Sequence, residues 1–269
     1  MHYVIKQSGK VSDLIKKKKP LIMGILNITP DSFSDGEKYF HIDDAIDQAK
    51  KLIKERVDII DVGGESTRPS AEPVSEEEEI RRVIPVIKWC RDAALQRLYK
   101  NILISIDTYK SKVAKAALDA GANMINDVSG LTKDPTMIKV ARNADCPIVI
   151  MHNNGIPATK PEIRKNVEHS IIDEVYSWFK HQAEYAIANG IKPENIIIDP
   201  GIGFGKSAEE DLYLIECLYE FKSLGFPILV GSSRKSFIRK LFGEKNFGVK
   251  NKEMIELAIK NGTNIVRMH

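Results

Sequence analysis

LIMGILNIT, at residues 21–29, is the first of eight short apolar runs that decide the fold of this 269-residue chain. Each run is rich in β-branched residues and precedes an amphipathic stretch, which is typical of repeated βα units on a parallel sheet. The pattern predicts an α/β fold, a closed (β/α)8 barrel of the TIM type. The other seven runs are DIIDVGG (58–64), ILISIDT (102–108), MINDVS (124–129), PIVIMH (147–152), IIIDPGIG (196–203), PILVGSS (227–233) and NIVRMH (264–269).

The stretches between the runs predict seven helices, several of which end at a glycine that can serve as a C-terminal stop. An open, doubly wound sheet also alternates strands and helices, but the glycine-rich phosphate fingerprint usual after its first strand is missing. The chain given stops at His269, so the sequence predicts a barrel without its eighth outer helix. The predicted helices are 42–56, 76–98, 110–120, 134–143, 162–189, 207–224 and 250–261.

Composition narrows the class of protein. Hydrophobic residues make up 43% and charged residues 29%, and the formal net charge of +3 is spread along the chain, which argues against a nucleic-acid partner. Three separated cysteines and no apolar leader or membrane-length run predict a cytoplasmic protein without membrane contact. Residues 1–19 end in four lysines and are interpreted as a leader or linker, and residues 20–269 as the barrel.

Polar residues at the carboxyl ends of the strands are the informative ones, because the active site of such a barrel forms there. Asp107 and Asp199 each end an apolar run, where a carboxylate is costly to desolvate without a partner that donates hydrogen bonds. Lys235, Arg267 and His269 form a predicted cluster of donors for an anion such as phosphate or pyrophosphate.

Other polar groups complete the predicted mouth of the barrel. Asn27 offers an amide oxygen, a hard ligand suited to Mg²⁺ when water and substrate phosphate fill the other positions. Two long loops, at 29–40 and 65–75, are rich in Pro, Ser, Asp and Gly and are interpreted as lids. Phe33 and Arg68 on these loops are able to reach inward.

Two long segments, LIMGILNITPDSFSDG (21–36) and DIIDVGGESTRPSAEPVSEEEEIRRV (58–83), resemble the signature segments of the dihydropteroate synthases. The resemblance continues through SIDTYK, INDVSG, VIMHNNG, IIDPGIGFGK, LVGSSRKSFI and IVRMH, and so covers residues 21–269. It departs from the family at GVKNKEMIELAIKNG (248–262), which looks shortened, and after the last strand.

The resemblance implies a role for each matched residue. Asp107, Asn126, Asp199 and Lys235 would hold the pterin, between apolar walls formed by Met151 and Phe204. Mg²⁺ and the pyrophosphate would be held by Asn27, Arg267 and His269. The p-aminobenzoate site, which sulfonamides occupy in this family, would comprise Thr67, Arg68, Pro69, Phe33, Ser233 and the stem of Lys235.

The implied reaction joins 6-hydroxymethyl-7,8-dihydropterin pyrophosphate to p-aminobenzoate in folate biosynthesis and follows an SN1-like course. The family also implies a homodimer and allows fusion to another folate-pathway domain. Two alternatives are a methyltetrahydrofolate-binding methyltransferase, which shares the pterin-binding barrel, and a noncatalytic barrel within a larger polypeptide. The STRPS loop, the SRKSF segment and the terminal RxH favour the synthase, because a methyltransferase has no pyrophosphate to bind.

Overall fold

A computed structural model describes residues 20–29, 42–67, 71–95, 102–157 and 170–269, together with Ile15. Apart from Ile15, the leader predicted at 1–19 lies outside the described residues, as does the loop at 29–40 after Thr29. Within them, no helix is both long and apolar enough to cross a membrane.

Eight parallel strands form one sheet, in the order β6-β5-β4-β3-β2-β1-β8-β7. A single residue pair, Ile198 with Ile228, joins β6 to β7, and the Ile198 N–H donates to the Pro227 carbonyl at 2.9 Å. The sheet therefore curls into a nearly closed barrel, which confirms the predicted fold over an open sheet. The strands are β1 Leu21–Asn27, β2 Ile59–Gly63, β3 Leu103–Asp107, β4 Met124–Asp127, β5 Ile148–Met151, β6 Ile196–Asp199, β7 Leu229–Val230 and β8 Ile265–Met268.

Outer helices follow the first seven strands and cover the apolar outer face of the sheet. Ser75 and Ser207 illustrate why helices begin where they do, since their hydroxyls accept the backbone N–H groups of Glu78 at 3.2 Å and Glu210 at 3.1 Å. The described α-helices are α1 Ile42–Lys54, α2 Glu76–Leu95, α3 Ser111–Ala120, α4 Met137–Ala144, α5 Ile171–Ala188, α6 Ala208–Glu216, α7 Ser236–Phe242 and α8 Phe247–Lys260.

The connection between β7 and β8 differs from the single helix predicted at 250–261. It contains two helices, α7 and α8, joined by a short 3-10 turn at Glu244–Asn246. Phe237 and Ile238 of α7 are buried against the core, although seven residues are too few to show a helical period in the sequence. β8 ends at Met268, the penultimate residue of the chain given.

The interior of the barrel is layered. At the amino end of the strands, inward-facing apolar side chains fill the barrel in one cluster, against which Ile15 also packs. Side chains alternate between the two faces of a strand, so the next inward position is two residues further along. Several of these positions are polar, among them Asp61, Asn126 and Asp199. The site thus lies above an apolar plug formed by Leu21, Met23, Ile59, Leu103, Met124, Val149, Ile197, Leu229 and Ile265.

Candidate active site

A cavity opens at the carboxyl ends of the strands, with about 340 Å³ of empty space when its open mouth is included. Its position matches that of ligand sites in barrels of this kind. The lining contains seven of the residues predicted from sequence, namely Thr67, Asn126, Met151, Asp199, Phe204, Lys235 and Arg267, and also Val128, Gly201, Ile202 and Gly231.

Arg267 is the central charged group of this cavity. From β8 its Nε donates to Asp61 Oδ2 at 2.7 Å and its Nη2 donates to Asp107 Oδ2 at 2.6 Å. Asn126 Nδ2 donates to the same oxygen of Asp61 at 3.0 Å. Asp107 therefore lies behind the guanidinium rather than in the cavity lining, which the strand-end pattern did not anticipate.

Asp61 is the functional residue that the sequence reasoning left without a role. Its side chain is fully buried at the middle of β2, where it holds both Arg267 and Asn126. The signal was present in DIIDVGG, since Asp61 has the inward parity of the buried Ile59 and interrupts an apolar run. A charge at such a position needs a buried partner.

Several buried acceptor atoms in this network have no protein donor among the described residues. They include Asp107 Oδ1, Asn126 Oδ1 and Asp61 Oδ1. An unpaired buried acceptor is unfavourable unless a ligand or water supplies the missing hydrogen bond. The site is therefore suited to a ligand whose edge carries N–H donors.

One wall of the cavity is apolar. Val128, Met151 and Phe204 form a buried cluster, and the side chain of Tyr109 packs against it. The ammonium of Lys235 lies over the Phe204 ring, 4.6 Å from its centre. A flat ring system could pack against this wall while its polar edge meets the acceptors.

The glycine-rich loop after β6 brings Asp199 and Phe204 into place. The Gly201 N–H donates to Asp199 Oδ1 at 2.8 Å, and the buried Lys206 ammonium donates to the Gly201 carbonyl at 3.0 Å. Gly201 has a φ of 65°, and a Cβ there would stand 1.9 Å from the His152 carbonyl oxygen. Only glycine fits this turn.

Burial shifts the ionisation of the two carboxyl groups in the same direction. It raises the pKa of Asp107 to about 7, against the attraction of Arg267, and the pKa of Asp199 to about 6, against the Gly201 hydrogen bond. A hydrogen-bond donor or a positive charge on a ligand would therefore stabilise the charged form of both carboxyl groups.

The pKa values of the two cations, Lys235 and Arg267, shift in opposite directions. Burial and then repulsion by Arg267 lower the pKa of Lys235 to about 8. Burial alone would lower the pKa of Arg267, but attraction by Asp61 and Asp107 outweighs it, and the pKa lies above its usual value. Arg267 therefore stays charged while Lys235 can lose its charge in mildly alkaline solution.

The remaining predicted residues are placed less centrally or not described. Asn27 ends β1 and its Oδ1 would be 3.4 Å from a Cβ at Gly63, on the neighbouring strand. Ser233 is buried and His269 is exposed, and neither lines the cavity. Phe33, Arg68 and Pro69 lie outside the described residues.

Comparisons with known proteins agree over nearly the whole chain. A family model described as pterin binding enzyme matches residues 23–269. A dihydropteroate synthase of Synechocystis is 45% identical over 94% of this chain and 86% of its own length. That of Bacillus subtilis is 43% identical over 97% of this chain and 87% of its own. In Haloferax volcanii, a probable bifunctional folylpolyglutamate synthase/dihydropteroate synthase is 43% identical over 92% of this chain and 28% of its own length.

Solved structures give the same result. The Clostridium difficile dihydropteroate synthase, determined with pteroic acid, is 44% identical with a TM-score of 0.82 and covers 94% of this chain and 91% of its own. The Xanthomonas albilineans enzyme with 4-aminobenzoic acid is 36% identical, with a TM-score of 0.83 and coverage of 93% and 88%. The Yersinia pestis enzyme with a sulfonamide drug is 34% identical, with a TM-score of 0.81 and coverage of 93% and 89%.

These relatives favour the synthase over a methyltransferase or a noncatalytic barrel. The buried carboxylates, the two cations and the apolar wall stand on a barrel that matches dihydropteroate synthases along almost its full length. The chain belongs to the dihydropteroate synthase family of pterin-binding enzymes and is a transferase of folate biosynthesis.

Proposed function

We propose that this cavity binds 6-hydroxymethyl-7,8-dihydropterin pyrophosphate and p-aminobenzoate and joins them into 7,8-dihydropteroate, with release of pyrophosphate. The observation that carries the proposal is the arrangement of buried acceptors on Asn126 and Asp199 beside an apolar wall, with the cations of Lys235 and Arg267 close by. This arrangement suits an aromatic, donor-edged substrate that carries an anionic leaving group.

The pterin would lie along the wall formed by Val128, Met151 and Phe204. Its ring N–H and exocyclic amine would donate to the Asp199 carboxylate, which can accept two parallel hydrogen bonds. Asn126 Oδ1, which is buried without a described donor, would accept a further one. For Asp107 to contact the pterin directly, Arg267 would have to leave Asp107 Oδ2.

The p-aminobenzoate would lie on the Thr67 side of the cavity, with Arg68, Pro69, Phe33 and Ser233 as the further contacts that the resemblance implies. The Xanthomonas albilineans structure holds 4-aminobenzoic acid and the Yersinia pestis structure a sulfonamide drug. These support the proposal that a sulfonamide competes for the same place in this chain.

The reaction would proceed by an SN1-like course. The bond between the pterin methylene carbon and the pyrophosphate oxygen breaks, and its electron pair leaves with the pyrophosphate, which Arg267 and His269 stabilise. The carboxylates of Asp107 and Asp199 stabilise the cationic methylene. The amine of p-aminobenzoate then forms the new C–N bond and releases a proton to solvent. Positioning and preorganised charge supply most of such a rate enhancement.

A magnesium ion fits this site if the substrate provides most of its ligands. Among the described residues no group of three or more His, Cys, Asp or Glu could hold a metal ion. The Asn27 amide oxygen, placed beside Gly63 at the mouth, is a hard donor of the kind that Mg²⁺ accepts alongside water and phosphate oxygens. When bound, the ion would neutralise negative charge on the pyrophosphate.

The direct test is to incubate the protein with 6-hydroxymethyl-7,8-dihydropterin pyrophosphate and Mg²⁺, with and without p-aminobenzoate, and to measure dihydropteroate and pyrophosphate. We expect equal amounts of both products only when all components are present, and inhibition by a sulfonamide that added p-aminobenzoate relieves. Pyrophosphate release without any dihydropteroate in the complete mixture would contradict the proposal.

A pH profile of kcat/KM for the pterin substrate should be bell-shaped. Below about pH 6 to 7 the carboxylates of Asp199 and Asp107 take up protons and lose the negative charge that the reaction requires. Above about pH 8 Lys235 becomes neutral. Activity should therefore rise with pH on the acid side and fall on the alkaline side, with apparent pKa values that belong to the coupled site.

Initial rates between about pH 5 and pH 9 at constant ionic strength would give this profile. A flat profile across that range would remove the proposed roles of these groups. Asp199→Asn is the informative variant, because it should alter the acid limb and leave the alkaline limb, which we assign to Lys235, in place.

Asn27→Ala should raise the Mg²⁺ concentration needed for half-maximal activity by roughly tenfold, equivalent to a lost contact of about 1.4 kcal/mol. A Mg²⁺ titration of the initial rate and of pterin pyrophosphate binding would measure it. An unchanged Mg²⁺ requirement would exclude Asn27 as a ligand.

The proposal also covers the oligomeric state and the cellular location of the protein. We expect a homodimer from the family resemblance, and the probable bifunctional relative of Haloferax volcanii supports the idea that such a barrel can be fused to another domain. Cytoplasmic location is supported by the free thiols of Cys90, Cys146 and Cys217.

A further inference from the structure

A second cluster of charges lies beside the cavity and is separate from its lining. The side chains of Lys110, Glu65 and Glu79 are only 13%, 6% and 1% exposed. The Lys110 ammonium forms ion pairs with both carboxylates, and the distance to Glu79 Oε2 is 2.7 Å. One cation thus forms ion pairs with two carboxylates that have little contact with water.

This cluster joins the two ends of the segment between β2 and α2. Glu65 stands just after β2, and Val74 stands just before α2. The Val74 N–H donates to Glu65 Oε2 at 3.1 Å, and the Lys110 ammonium donates to the Val74 carbonyl at 2.6 Å. Thr67, which lines the cavity, is two residues from Glu65.

The same cluster is tied to the apolar wall of the cavity through Tyr109. The Tyr109 hydroxyl donates to Glu65 Oε1 at 2.6 Å, while its ring packs against the cluster of Val128, Met151 and Phe204. Tyr109 and Lys110 lie two and three residues after Asp107, which ends β3. The contacts therefore connect the Thr67 side of the cavity with its apolar side.

We propose that Lys110, Glu65 and Tyr109 are positioning residues that hold Thr67 at a fixed distance from the apolar wall and thereby set the affinity for p-aminobenzoate. This inference rests on the proposed function. Loss of Lys110 would leave the carboxylates of Glu65 and Glu79 buried without a cation. The chain at Glu65 and the start of α2 at Glu79 would then separate, so that water could reach both carboxylates. The pterin contacts on Asn126 and Asp199 arise from other strands and would be affected much less.

The test compares Lys110→Met with Lys112→Met. Lys112 also bridges to the start of α2, through Glu76 at 2.7 Å, but its side chain is 74% exposed. We expect Lys110→Met to raise the KM for p-aminobenzoate by about tenfold or more, the equivalent of 1.4 kcal/mol or more. The KM for the pterin pyrophosphate should stay within about twofold, and Lys112→Met should match the wild type.

Tyr109→Phe serves as a milder variant if Lys110→Met does not fold. It keeps the ring and removes one hydrogen bond to Glu65, so the KM for p-aminobenzoate should rise by about three- to tenfold with little change in melting temperature. A KM that is unchanged in this variant, or that rises equally for both substrates, would overturn the positioning role. Absence of turnover in the wild type would instead refute the proposed function, and this inference with it.

Discussion

Replacing Lys235 with methionine is expected to lower kcat/KM by about two to three orders of magnitude, the usual effect of removing one well-aimed charge from a preorganised site. Methionine keeps most of the apolar stem that packs beside Gly203 and Phe204, so the change removes mainly the ammonium. That ammonium is the cation expected to act together with Arg267 beside Asp199.

Initial-rate kinetics with each substrate varied in turn would measure the effect. Lys240→Met, on the exposed face of α7, is the matched control and should behave as the wild type. The melting temperature of Lys235→Met should not fall below that of the wild type, because the lowered pKa of Lys235 means that its buried charge destabilises the fold near neutral pH. If Lys235→Met keeps its rate within a few-fold of the wild type, Lys235 does not have the role proposed for it.

Asp61→Asn is expected to lower the free energy of unfolding by about 3 kcal/mol, near the low end of the cost of breaking a buried ion pair. Asp61 is fully buried and accepts from both Arg267 and Asn126. Asparagine has a similar volume but no charge, so Arg267 would keep only Asp107 as a partner. We place the effect at the low end because that second carboxylate remains.

Urea unfolding would give this free energy, and the melting temperature should fall by roughly 6 to 12 °C for a domain of this size. The control is Asp92→Asn, since Asp92 pairs with Arg91 at the surface and its side chain is 56% exposed. A loss below about 1 kcal/mol for Asp61→Asn would show that the pair is not important for the fold.

The sequence predicted the barrel well because each strand is covered on both faces and is therefore apolar along its length. The seven residues of α7 were missed, since a helix of two turns cannot be separated from a loop by periodicity. The family resemblance implied that Met151 and Phe204 form apolar walls, and in the structure both belong to one buried cluster with Val128.

The contacts of Arg267 could not be predicted from strand ends alone. In the sheet Arg267 is paired with Met23, whereas Asp61 is paired with Ile25, one inward position further along β1. This offset along β1 brings Arg267 of the last strand within hydrogen-bonding distance of Asp61 on the second strand and Asp107 on the third. Such offsets depend on the shear of the closed barrel, which has no counterpart in the linear sequence.

The turn at Gly201 also limits how this enzyme can evolve. A lineage under selection by an inhibitor can alter a cavity only where a single amino-acid replacement leaves a folded protein. Any side chain at Gly201 would collide with the His152 carbonyl oxygen, so this part of the cavity lining cannot change by substitution. Heritable changes in inhibitor susceptibility should therefore accumulate at cavity positions that already carry a side chain, such as Thr67.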